Sequence, residues 1–141
     1  MGKVKWRPIE LPMPRKIVNQ KQYQFFGEIV KVSDTIKDLK GIGVVISNTS
    51  SYNSPICLMQ KTHGFWRIIV DYRKLNCMVT PIVPAVPDVV LLFEQINTSP
   101  GMWYAAIHLA NALFFIPVYM DHQRQFAFNW QVHQFTFIIL P

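Results

Sequence analysis

Four cations, Lys61, Arg67, Arg73 and Lys74, fall within fourteen residues that also hold Phe65, Trp66 and Tyr72. Cations contact phosphate oxygens and aromatic faces stack on bases and sugars, so the mixture suits a polyanion made of phosphates and planar rings. Alternation along a strand puts Phe65, Arg67, Ile69, Asp71 and Arg73 on one face and Trp66, Ile68, Val70 and Tyr72 on the other, so Arg67 and Arg73 emerge together. A solvated charged face over a small apolar core has the same pattern. Other chemistry is not signalled. The chain has no glycine-rich phosphate loop, no H-E-x-x-H, no serine elbow and no close pair of carboxylates. Cys57 and Cys77 lie twenty residues apart without C-x-x-C spacing, which signals free thiols in a reducing compartment rather than a disulfide framework or a zinc site.

The elements that must position these residues belong to one domain or a piece of one, because 141 residues exclude a multidomain machine. Half the residues are hydrophobic, enough to collapse into a core. The net charge of +6 is uneven: through Lys74 there are thirteen basic and five acidic residues, and from Leu75 onward one basic and three acidic. The first half is therefore the half that faces a polyanion. The N-terminus alternates Lys3, Lys5 and Arg7 with Pro8, Pro12 and Pro14 and has no apolar signal-peptide core, so the chain is expected inside the cell. The uncharged run 101–120 is interrupted by His108, Asn111 and Pro117 and reads as a buried strand and a loop, not a membrane span.

Residues 1–22 read as an extended basic arm, poorly ordered alone. A short helix capped by Ser33 or Asp34 runs through Thr35, Ile36 and Leu39 and is ended by Gly41 in the left-handed conformation. Ile56, Leu58 and residues 65–72 form two strands joined across Thr62, His63 and Gly64. Asp88 opens a helix carrying Val89, Leu92, Phe93 and Ile96. Residues 103–109 alternate as a strand, with His108 opposite the main apolar face. Segments 125–130 and 134–140 read as a last hairpin turning near Val132 and His133. The sum is an α+β fold with mostly antiparallel strands and short helices.

Five segments stand in order from residue 52: Y-N-S-P-I at 52–56, W-R-I-I-V-D-Y-R-K-L-N at 66–76, V-P-D-V-V at 86–90, W-Y-A-A-I-H-L-A-N-A at 103–112 and Q-F-A-F-N-W at 125–130. Together they resemble the fingers and first palm segment of a retroviral reverse transcriptase, most of all the pol of endogenous retroviruses. Weaker similarity reaches back to about Gln22 through I-K-D-L-K-G-I-G-V-V. The resemblance implies a partial reverse-transcriptase domain over 23–141, ending before the family's Tyr-x-Asp-Asp hairpin. It also implies RNA-directed DNA polymerase ancestry, within a polyprotein that carried RNase H and integrase as well. The family's partners are an RNA or DNA template-primer and a deoxynucleoside triphosphate, with no membrane; nothing in the residues sets an oligomeric state.

The family's reaction is in-line attack of a primer 3′-hydroxyl on the incoming triphosphate. It uses two magnesium ions (Mg2+) held by carboxylates, which stabilise the attacking and leaving oxygens. His108 stands at the family's first catalytic aspartate, and a neutral imidazole supplies one nitrogen where magnesium wants anionic oxygen. No catalytic set is therefore intact and no productive magnesium site is expected. By the same resemblance, Lys61 and Arg67 match the residues that clamp the triphosphate, and Asn111 and Ala112 the step whose backbone N–H groups reach it. Leu113 stands where the family places the aromatic that screens out the ribose 2′-hydroxyl. Asp71, Arg73 and Asn76 match positions near the template, and Asp71 is not a metal ligand. Ser51 replaces a frequent proline, and Val132 a turn glycine, in keeping with a decayed, truncated copy that is inactive alone. The competing readings are a residual nucleic-acid-binding module and a product with no biochemical role, whose segments 125–130 and 134–140 would expose apolar faces for want of a partner.

Overall fold

The computed structural model describes residues 7–25, 27–60, 64, 66–83, 85, 87–97, 101–105, 107 and 112–141. They fall into two units, residues 1–80 with 111–141 and residues 81–110.

In the larger unit, helix α1 (Ile29–Gly41) buries Val32 and Ile36, one turn apart on one face. It begins about a turn earlier than Ser33 or Asp34 would cap it. Glu28 holds the left-handed conformation at the start (φ 59°), and its carboxylate pairs with Lys31 at 2.6 Å. Ser33 is occupied elsewhere, since its Oγ accepts the Trp130 indole N–H at 2.9 Å. At the other end Gly41 stays helical. The left-handed residue is Gly43 (φ 76°), whose N–H donates to the Lys40 carbonyl.

Strand β1 (Val45–Ser47) follows and becomes one edge of a sheet closed by the far end of the chain. The hairpin of β4 (Ala127–Trp130) and β5 (His133–Phe137) lies against it in the antiparallel order β1-β5-β4. Val45 opposes Phe137, and Phe128 opposes Phe135. β4 starts two residues later than expected, because the one-turn helix α4 (Met120–Gln123) continues into the 3-10 turn η2 (Arg124–Phe126). The positive φ of the hairpin turn (55°) belongs to Gln131, not Val132. An unbranched side chain tolerates that conformation better than a β-branched one.

Between these lies the ribbon of β2 (Ile56–Gln60) and β3 (Trp66–Val70), antiparallel with Leu58 opposite Ile68 and Met59 opposite Arg67. Its connection includes Gly64 in the left-handed conformation (φ 80°), which costs glycine least. Helix α2 (Arg73–Met78) follows directly.

One core joins α1, the ribbon and the three-stranded sheet through Val32, Ile36, Ile56, Ile68, Phe128 and Phe137. Phe25 packs edge-on against Trp130 at 5.1 Å. Both strands of the last hairpin are largely buried, so the expectation that they would expose apolar faces is overturned. Their partners, β1 and α1, come from the first third of the chain.

The described part of the basic arm is extended and docked. Ile9 bridges Val118 and Asn19 bridges Asn53, both in parallel. Val18 is buried with Tyr52 and Leu75 in a second apolar cluster. Proline and charge announce an extended chain, but a single buried valine among them carries no periodic signal that it docks.

The smaller unit contains α3 (Val89–Asn97), opened by Asp88, whose Oδ1 accepts the Val90 N–H at 2.9 Å. The Tyr104 hydroxyl donates to the Ile96 carbonyl at 3.2 Å. The strand expected over 103–109 does not form among its described residues, and Trp103 is fully exposed there. Alternation supplies two faces, but a strand exists only when a neighbour takes its hydrogen bonds. Among the described residues no helix is long and apolar enough to cross a membrane.

Candidate nucleic-acid interface

β3 turns its two faces to different surroundings. Ile68 is buried in the core, Val70 is half-buried against it and Trp66 is half-buried, which leaves Arg67 exposed on the other face beside Met59. Arg67 has no ion pair among the described residues. Its expected neighbour Arg73 is not on this strand. β3 ends at Val70, the Asp71 N–H donates to the Pro55 carbonyl at 2.8 Å, and Arg73 opens α2. The common strand face for Arg67 and Arg73 is therefore replaced by a corner. Tyr72 fixes it from inside: its ring meets Phe126 edge-on and its hydroxyl donates to the Phe126 carbonyl at 3.2 Å. Burial raises the Tyr72 phenol well above its ordinary value.

Asp71 is the hub of the corner. Its Oδ1 accepts from the Arg73 backbone N–H at 3.1 Å and from Arg73 Nε at 2.9 Å. Its Oδ2 accepts from Arg73 Nη2 at 2.6 Å and from the Tyr23 hydroxyl at 2.8 Å. The fork is bidentate, the strongest geometry an arginine and a carboxylate share. The bonds from Arg73 and then Tyr23 hold the Asp71 carboxyl well below the usual carboxylate range. The same carboxylate raises the Arg73 guanidinium and the Tyr23 phenol above their ordinary values. The Asp71 side chain is 13% exposed and that of Arg73 87% exposed, so the acid is sunk and the guanidinium faces solvent. Lys74 and Asn76 are exposed on α2 as well.

Nothing in the sequence singles out Tyr23. A tyrosine in a basic, glutamine-rich stretch offers no spacing that ties it to Asp71. Ala112 and Leu113 lie in a 3-10 turn, η1 (Ala112–Phe115), with Leu113 exposed. Lys61, His108 and Asn111 lie outside the described residues. The structure thus brings Asp71, Arg73 and Asn76 together at one corner, with Arg67 on the ribbon that leads into it.

A groove of about 270 Å³ lies between α1 and the ribbon, lined by Lys31, Asp34, Thr35, Asp38, Gly64 and Trp66. The Lys31 ammonium sits 4.4 Å over the Trp66 ring, and the two carboxylates have the wrong sign for phosphate. Among the described residues no three of His, Cys, Asp and Glu converge as a metal site would need. Asp121 is exposed in the first turn of α4.

No family model matches the chain. Its homologues are retroviral Gag-Pol and Pro-Pol polyproteins. The Gag-Pol polyprotein of walleye dermal sarcoma virus is 36% identical over 108 residues, 75% of this chain and 6% of that polyprotein. The Pro-Pol polyprotein of feline foamy virus is 31% identical over 123 residues, 86% of the chain and 10% of its relative. More particularly, the α+β architecture matches reverse-transcriptase structures, those of the foamy viral protease-reverse transcriptase. The complex of that protein with double-stranded DNA superposes with a TM-score of 0.78 at 28% identity, covering 97% of this chain and 29% of the other. Its complex with an RNA/DNA hybrid gives 0.74 at 28% identity, covering 97% and 18%.

Proposed function

We propose that this chain is the fingers and first palm segment of a reverse transcriptase, of endogenous-retroviral origin, that holds template-primer nucleic acid without transferring nucleotides itself. The observation that carries the reading is the cationic corner: Arg67 on β3, then Arg73 and Lys74 on α2, all exposed. It is set in a fold whose solved neighbours include complexes with duplex DNA and with an RNA/DNA hybrid. Asp71 orients Arg73 by occupying the Nε edge of the guanidinium, which leaves the other edge for a phosphate oxygen. Asn76, one turn along α2, adds an amide beside the template.

For the triphosphate, the family resemblance assigns Lys61 and Arg67 as the clamping cations and the backbone N–H groups of Asn111 and Ala112 as further contacts. Leu113, without an aromatic face, weakens discrimination of the sugar. His108 decides the chemistry. An imidazole in place of an aspartate does not fit a magnesium cage of anionic oxygens, so the reaction has no assembled centre in this chain. Free cysteines, Cys57 half-buried and Cys77 exposed, suit an intracellular product.

Salt-titrated binding to an RNA–DNA duplex tests the binding half. Affinity is expected to fall steeply with salt, and its absence at about 50 mM salt removes the reading. Primer extension tests the catalytic half, with no template-dependent synthesis expected.

A further inference from the structure

Residues 15–23 of the N-terminal arm form a strap that lies beside α2, pinned at both ends. The Arg15 N–H donates to the Met78 carbonyl at the last residue of α2, at 2.8 Å. The Tyr23 hydroxyl reaches Asp71, just ahead of its first turn. Between the pins, Val18 is buried against Tyr52 and Leu75. Segments 15–23 and 71–78 together carry five cations, Arg15, Lys16, Lys21, Arg73 and Lys74, against one acid, Asp71, and all five cationic side chains are exposed. Arg15, Lys16, Lys21 and Lys74 have no ion pair among the described residues. The six residues of α2 span only about 9 Å, so this charge is concentrated, and self-repulsion is left for an anionic ligand to relieve. Ile17 is the strap's main exposed apolar side chain beside them, too little to anchor in lipid.

Resting on the nucleic-acid reading above, we infer that the N-terminal strap is the second wall of the binding face, where Arg15, Lys16 and Lys21 join Arg73 and Lys74 in holding the phosphate backbone of a nucleic acid. Docking the strap makes one surface from residues more than fifty positions apart.

Two variants of the full chain test it, R15Q/K16Q/K21Q in the strap and R73Q/K74Q in α2, by fluorescence anisotropy with an RNA–DNA duplex across a salt series. Each lost phosphate contact lowers the slope of log affinity against log salt by roughly 0.9. The strap variant is therefore expected to flatten the slope by about 2 to 3, with an unchanged thermal melt because the three side chains are exposed. Should it melt lower, K16Q and K21Q singly must still each flatten the slope by about 0.9. If the strap variant keeps the wild-type slope while the α2 variant loses it, the inference fails and the nucleic-acid reading stands. If the wild-type chain binds no duplex at low salt, both fail. If phosphatidylserine vesicles bind as tightly as the duplex, and the strap substitutions weaken only the vesicles, the assignment to nucleic acid is overturned.

Discussion

The hydroxyl of Tyr23 donates to Oδ2 of Asp71 at 2.8 Å across 48 residues of sequence. With the Arg73 fork it leaves neither oxygen of that carboxylate without a partner. The bond ties the N-terminal strap to the corner where β3 gives way to α2, so arm and candidate interface share one ionised group.

Because the folded-state pKa of Asp71 is depressed, its contribution to stability is present above the unfolded value of about 3.9 and fades as pH falls below it. The stability difference between wild type and Asp71→Asn, measured by urea denaturation, is expected to hold steady from about pH 5 to pH 8 and to narrow below about pH 4. A difference independent of pH down to pH 2 would remove the ionised clasp.

Tyr23 titrates above the ordinary phenol range because it donates to a carboxylate. Following phenolate absorbance against pH, Asp71→Asn is expected to bring one tyrosine back toward about pH 10. No downward shift would mean that the hydroxyl and the carboxylate are not bonded in solution.

Phe128 is fully buried between Phe135 and Phe137, with ring centroids at 5.7 and 5.6 Å. Phe128→Ala is expected to cost about 3 to 5 kcal/mol, read as a large fall in the denaturation midpoint. A cost below about 1 kcal/mol would place the last hairpin outside the cooperative core.

Gln131 holds the left-handed turn of that hairpin and Val132 does not. Gln131→Gly is expected to be neutral or stabilising by up to about 1 kcal/mol, since glycine carries no Cβ penalty there. Val132→Gly should gain nothing and lose by a few tenths through added unfolded-state entropy. Thermal melts that reverse this order would relocate the turn.

On the proposed reading, His108→Asp supplies one carboxylate where the family resemblance expects the catalytic aspartate. Primer extension by that variant is expected to remain absent, because a single acid does not make a cage for two divalent ions. Synthesis by the variant would show that the histidine alone silences the chain.

Much of the local structure is legible along the chain. The ribbon, α3 and the last hairpin announce themselves through alternation, an aspartate cap and turn residues, because those signals act over a few positions. The same short range explains the errors. Ser33 looks like a cap until Trp130, 97 residues away, takes its hydroxyl. Residues 103–109 alternate like a strand, but none of their described residues lies in one.

Residue types by themselves determined the concentration of cations around the ribbon, since charge travels with the side chain wherever it folds. Only the tertiary structure decided which cations stand together. Arg67 and Arg73 part at a corner that alternation could not foresee, while Tyr23 meets Asp71, and Arg15 meets Met78, through contacts that no sequence period encodes. The last hairpin is buried rather than bare because β1 and α1, from the opposite end of the chain, supply the apolar surface that its own neighbours in sequence do not.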